Sequence, residues 1–234
     1  MEEARRFLRY VTPGLASAIE VAIYLLISAP DKMNNLVSQF TNVGTAFTLF
    51  IGSGGLGFLL GTIYYCVVEI PGLSNLKIDH RPLIANARAN KWLILKNSAD
   101  DSAVAPESPI SQDGAWLIAT ALWHERIETS ERIKGASKRT DNLADIMHGL
   151  GTAWVGSFAA FFAWIAIHWH LEKSLPSPHY WILPLLVVVI LYVNFTNVIR
   201  RTDSVISKIL LHELQDKGSQ ETVIMYIDSR DLDC

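Results

Sequence analysis

Cysteine is almost absent: Cys66 and Cys234 are two lone thiols in 234 residues. Two cannot build a disulfide framework, and unpaired thiols point to a reducing compartment. A dominant charge is lacking as well. Lys and Arg number 20 against 23 Asp and Glu, and the segment 69–149 alone has 10 basic and 11 acidic residues. It therefore carries no electrostatic footprint for nucleic acid, and direct nucleic-acid binding is not expected. The chain has no glycine-rich phosphate loop, zinc-protease helix, serine elbow or pair of cysteine knuckles, so no cofactor, metal or catalytic residue is predicted and a non-enzymatic role is favoured. Lipidation boxes and polybasic tracts are missing too, which argues against a merely peripheral membrane protein.

What is present is apolar: half of the residues are hydrophobic and 18% are charged. Charge is distributed unevenly. Four nearly charge-free segments, roughly Leu8–Ser28, Val43–Val68, Leu150–Trp169 and Tyr180–Ile199, each approach the length of about 20 residues that a helix needs to cross hydrocarbon. The first is too long for a cleavable signal core and is expected to stay as an anchor. Pro13 and Pro184 are expected in first helical turns, where the missing N–H costs nothing.

Orientation follows from the basic residues near the span ends. Arg5, Arg6, Arg9, Lys77, Arg81, Arg132, Lys134, Lys138, Arg139, Arg200, Arg201, Lys208 and Lys217 fall on one side, against only Lys32 and Lys173 on the other. The positive-inside bias puts the first group in the cytoplasm of a plasma (inner) membrane, with both termini. The expected fold is an all-α integral membrane protein with four transmembrane helices, cytoplasmic helical extensions and a small two-stranded β element. Its parts are 1–68 (spans one and two), 69–149 (a cytoplasmic loop domain), 150–199 (spans three and four) and 200–234 (a cytoplasmic helix and strand). Trp169, Tyr180 and Trp181 are assigned to an outer aromatic belt, and Tyr10, Tyr64, Tyr65 and Trp154 to an inner one.

Within 69–149, NSADDSAVAPESPISQDG reads as a flexible surface loop. From about Asp113 there is no proline until Pro176, so one helix could run into the third span. Trp116, Ala119, Trp123 and Ile127 fall at helical spacing there, followed by Ile133, Ala136, Thr140, Leu143, Met147 and Leu150. Glu128 with Arg132 and Glu131 with Lys134 would solubilise the opposite faces. After the fourth span Ile206, Ile209, Leu210 and Leu214 continue a helical stripe to Gly218, and the runs WLIL and TVIMYI are the strand candidates, expected to pair.

Glu20, near the middle of the first span, is the main functional candidate, because an ionised carboxylate there costs at least about 2.5–3.5 kcal/mol. It must be protonated, paired or wet. Ser53 lies at similar depth, and the packed glycines of span two are its expected neighbours. Ser53, Gly57 and Gly61 recur every four residues on that span, and Gly44, Thr48 and Gly52 on another face. The third span repeats the device with Gly149, Ala153 and Ser157, and with Thr152, Gly156 and Ala160. Such faces let helices approach closely, within one chain or between subunits. His168, His170 and His179 cluster near the outer boundary, though residues two apart on a helix diverge. Arg139, Asp141, His148, Arg201, Asp203 and His212 are cytoplasmic interface candidates for a protein or small-molecule signal, because two basic strings are each followed by a histidine.

The expectation is therefore a homo-oligomeric, channel-like, non-enzymatic membrane effector regulated through its cytoplasmic region. Its layout is similar to that of membrane effectors of prokaryotic antiviral systems, CRISPR accessory proteins among them, although no residue motif carries that likeness. The alternatives are a small proton-linked transporter using Glu20 and an intramembrane enzyme.

Overall fold

A computed structural model of the chain describes residues 2–33, 43–70, 76–127, 130–218 and 222–228, with the side chains at 2–10, 43–50, 217 and 218 outside that description. Tyr10, Gly44 and Thr48 thus contribute backbone only, and Glu128 and Cys234 lie outside the described residues. The protein is mostly helical with one two-stranded sheet. In chain order the elements are α1 (Glu2–Ser28), α2 (Val43–Val68), α3 (Arg81–Ala89), β1 (Leu93–Asn97), α4 (Gln112–Ile127), α5 (Glu131–Glu172), a 3-10 turn (Pro178–Trp181), α6 (Ile182–Gly218) and β2 (Val223–Ile227).

Four helices are long and apolar enough to cross a membrane: α1, α2, α5 and α6. Pro184 sits in the first turn of α6, as the sequence suggests. Pro13 does not. Helix α1 begins at Glu2, so Pro13 is interior and cannot donate to the carbonyl one turn back, while its own carbonyl accepts a 2.9 Å bond from Ser17 Oγ.

The chain divides into two compact units, Met1–Ser74 with Asp145–Val198, and Asn75–Ala144 with Ile199–Cys234. Helices α5 and α6 contribute residues to both.

In the first unit, small residues set the helix spacing. A Cβ on Gly14 would run into the backbone of α2 at Ser53 and Gly57, so α1 and α2 touch backbone to backbone there. Of the two small faces on α2, the one bearing Ser53, Gly57 and Gly61 is buried, whereas Gly52 faces open space. On α5 the buried face is Thr152, Gly156 and Ala160, with Gly156 against Ser17 and Leu60. Span one packs on both, and spans two and three also meet directly, Gly156 against Leu60 and Gly151 against the Tyr64 ring. Tyr64, expected at a membrane interface, is instead buried against Phe195, with its ring beside Gly151.

The second unit has an ordinary apolar core built from Leu83, Ile84, Ala87, Leu93, Leu95, Ile118, Leu122, Ile133, Leu210 and Leu214. The two strand candidates do pair, in parallel, with Leu93 opposite Val223 and Asn97 opposite Ile227. Helix α3 was not anticipated; it starts at Arg81 with Pro82, whose fixed φ suits a first turn, just inside it. The long helix expected from Asp113 is two helices. Ser130 separates them, its hydroxyl accepting from Ile133 N at 3.3 Å as an N-cap. The inward face of α4 is Ala115, Ile118, Ala119 and Leu122; of the expected stripe Ala119 is buried and Trp123 and Ile127 pack against the core, whereas Trp116 is exposed. The segment read as a flexible loop is pinned: buried Arg88 donates to the carbonyls of Ala105 and Ser108, and Val104 N donates to Leu95 O at 2.8 Å.

Candidate functional site

The first candidate is the α1–α5 seam in the apolar unit. Ser17, Glu20, Tyr24 and Ser28 recur at three- and four-residue intervals and so line one face of α1. Ser157, Trp164 and His168 do the same on α5. Glu20 Oε1 accepts from Ser157 Oγ at 2.7 Å, and Oε2 accepts from the Tyr24 hydroxyl at 3.2 Å. Both oxygens of the carboxyl therefore have a neutral donor within one chain. Its partners are on α5 and on its own helix; the glycines of α2 expected beside it pack on Gly14 instead.

A second cluster lies two turns further along α1, about 12 Å by helix rise. Ser28 Oγ is 2.8 Å from Tyr24 O, 3.0 Å from Trp164 Nε1 and 3.2 Å from His168 Nδ1. A hydroxyl donates once, and the indole can only donate. If the shortest contact is the one Ser28 donates, Nδ1 of His168 carries a proton and donates to Ser28, leaving Nε2 as the basic nitrogen. The Tyr24 and Trp164 rings meet edge to face at 5.8 Å between the two clusters. The seam thus aligns a carboxyl and an imidazole on one helix interface. Its apolar packing comes from Leu25, Val21, Phe161 and Ile165.

The histidine cluster near the outer boundary does not assemble. His168 is buried in the seam, His170 is exposed, and His179 lies against Tyr180 at 3.9 Å between ring centroids. Among the described residues no three His, Cys, Asp or Glu side chains converge as metal ligands.

The second candidate is the polar surface of α6 in the other unit. Buried Glu213 accepts from Ser130 Oγ at 2.9 Å. Arg132 Nη1 donates to Asp216 Oδ2 at 2.9 Å and lies 2.9 Å from His212 Nδ1, which makes that nitrogen an acceptor. Arg132 therefore serves the α5–α6 pairing, while its expected partner Glu128 lies outside the described residues. Higher on α6, Asp203 Oδ1 accepts from Ser207 Oγ at 3.0 Å and faces His80 Nδ1 at 3.7 Å. His80 is 4% exposed, and burial pushes its imidazole below the usual value, against the opposing pull of Asp203 and Asp79. Hydrogen bonding from Arg81 holds the Asp79 carboxyl below the usual carboxylate range.

The six interface residues predicted from sequence are dispersed. Asp203 and His212 join the two clusters just described, while Arg139, Asp141 and Arg201 are exposed. His148 belongs to the apolar unit, 3.4 Å from the Tyr65 hydroxyl. Sequence reading missed Tyr24, Ser28 and Trp164 in the seam and His80 in the other unit. The polar residues of α1 at 17, 20, 24 and 28 carried the signal for the seam; a lone histidine before Arg81-Pro82 carried none.

No family model matches the chain, and no curated protein or solved structure matches it.

Proposed function

We propose that the chain is a homo-oligomeric, non-enzymatic membrane effector, channel-like in layout and set through its polar unit, with that unit and both ends of the chain on the cytoplasmic side of a plasma (inner) membrane. The observation that supports this reading is the continuity of α5 and α6, each a single helix with residues in both compact units. A helix is stiff along its axis, so a shift or rotation imposed on residues 131–144 or 199–218 is passed to the apolar stretches that follow or precede them. Subunit contacts would use the open side of α2, where a Cβ on Gly52 or Gly55 would meet nothing. Within one chain both Glu20 oxygens accept a hydrogen bond, from Ser157 and Tyr24, and the inward-facing position in an oligomer is part of the proposal.

Reconstitution of the full chain in liposomes tests the reading. Multimers and ion flux are expected, and inserting one residue between Ala144 and Asp145, which turns α5 by about 100°, should change that flux on the order of tenfold. A strictly monomeric wild type without flux refutes it. A part in antiviral defence of the CRISPR-accessory kind rests on layout alone; protection of phage-challenged cells by the intact chain, lost with the same insertion, is the expected outcome.

A second reading, a proton-linked transporter, is favoured by the pairing of Glu20 with Tyr24 and Ser157 inside the span bundle. It requires Glu20→Gln to abolish proton-coupled uptake while leaving the fold intact.

A further inference from the structure

Among the described residues, two buried polar side-chain atoms have no hydrogen-bond partner, Trp154 Nε1 and His80 Nδ1. The indole nitrogen lies among Phe158, Tyr192 and Phe195 and can only donate. The imidazole nitrogen is different, because it faces a carboxylate oxygen from another element at 3.7 Å. That separation is too long for a hydrogen bond and too short for a water between the two atoms. With the neutral ring's proton on Nε2, a lone pair of Nδ1 would face a lone pair of Oδ1 there.

We propose that His80 and Asp203 form a proton-operated latch: uptake of one proton at His80 Nδ1 turns two facing acceptors into a donor and an acceptor and ties the start of α3 to α6. The proton comes from water, adds to the nitrogen lone pair and displaces nothing; the imidazole becomes imidazolium, and the net charge of the pair goes from −1 to zero. Closing the gap to ordinary hydrogen-bond length takes a movement of roughly 1 Å. Asp203 can use the proton because only one bond to its Oδ1 is already made, that from Ser207 Oγ.

The charges around His80 are accounted for on each side. Asp203 faces it from α6, and Asp79 acts on it from its own segment. Arg81 of α3 is held on Asp79, its Nη2 2.8 Å from Oδ2. At the start of α4, Asp113 is paired with Lys77 at 3.4 Å, and Gln112 Nε2 reaches Ile78 O at 3.4 Å. His80 also caps α3, its carbonyl accepting from Ile84 N at 3.1 Å, so the latch acts on the first turn of that helix. Ile84 and Ala87 of α3 are fully buried in the core of the unit, which gives the movement something to work against.

The test is a histidine NMR titration of the full chain in nanodiscs, following the His80 ring nitrogens as pH falls. In the wild type, protonation should yield an imidazolium whose Nδ1 proton is strongly deshielded and slow to exchange. Asp203→Asn, close in shape, should weaken proton affinity at His80 by about tenfold or more, since a unit charge at such a distance is removed. Ser207→Ala should strengthen it, because Asp203 loses a competing donor. Opposite signs from two substitutions on one helix are not what general loosening would give. An unchanged affinity in Asp203→Asn, or the same direction of change in both variants, would overturn the latch.

Discussion

Replacing Ser157 with alanine removes the 2.7 Å donor to Glu20 Oε1 at a serine only 1% exposed. Hydrogen bonds between spans contribute about 0.6 kcal/mol on average and up to about 1.7. The short distance, the burial and the carboxyl partner put this one near the top, at about 1.5 kcal/mol. The loss stops there because Oε2 keeps its bond from Tyr24, so the carboxyl is not orphaned. The double-mutant cycle with Glu20→Leu isolates the term: Ser157→Ala should destabilise the wild type by about 1.5 kcal/mol and the Glu20→Leu protein by almost nothing. Glu20→Gln, which can accept one bond and donate another, should keep most of the coupling. Unfolding in bicelles by steric trapping supplies the free energies. Additivity within about 0.3 kcal/mol would refute the seam as drawn.

Gly14→Ala should cost about 1–3 kcal/mol as α1 and α2 are forced apart, measured by the same unfolding assay. His80 gives the polar unit a signed pH dependence. Its folded imidazole is pushed below the usual value, so the unfolded chain takes up a proton that the folded one resists. Stability should therefore fall as pH drops below about 6.5 and level off beneath the depressed value, and thermal scans of His80→Gln should be flatter in that window. In a Cys66→Ser, Cys234→Ser background, a cysteine at Ser177 should react with an impermeant reagent on intact cells and one at Ser102 should not; the reverse pattern would invert the proposed threading.

The spans were readable because hydropathy over about 20 residues is a sum, and sums are robust to local detail. The strand pair was readable for a similar reason, since WLIL and TVIMYI are compact β-branched or aromatic runs among polar neighbours. Details that depend on one residue or on registry were not. Ser130 ends one helix and caps the next without the proline or glycine that usually marks a break. The α4 stripe was legible at Ala119, Trp123 and Ile127, but the bulk of Trp116 drew attention to an exposed position while Ala115, Ile118 and Leu122 fill the inward face. Glu20 could be placed at the correct depth, but depth does not choose a neighbour. The choice was made by Gly14, which brings α2 onto the opposite part of α1, and by Gly156, which admits Ser17 and sets Ser157 against the carboxyl.

The parallel sheet has a consequence for biogenesis. Its strands sit at Leu93–Asn97 and Val223–Ile227, and both remaining spans are encoded between them. A ribosome adding about 5–20 residues per second therefore leaves β1 waiting for roughly 6–25 seconds before β2 exists. Parallel pairing cannot be started by a local hairpin. The core around Leu93 and Leu95 also needs Leu210 and Leu214, which are made after the last span. Until then Leu93, Leu95 and Ile84 lack part of the apolar cover that the finished unit gives them.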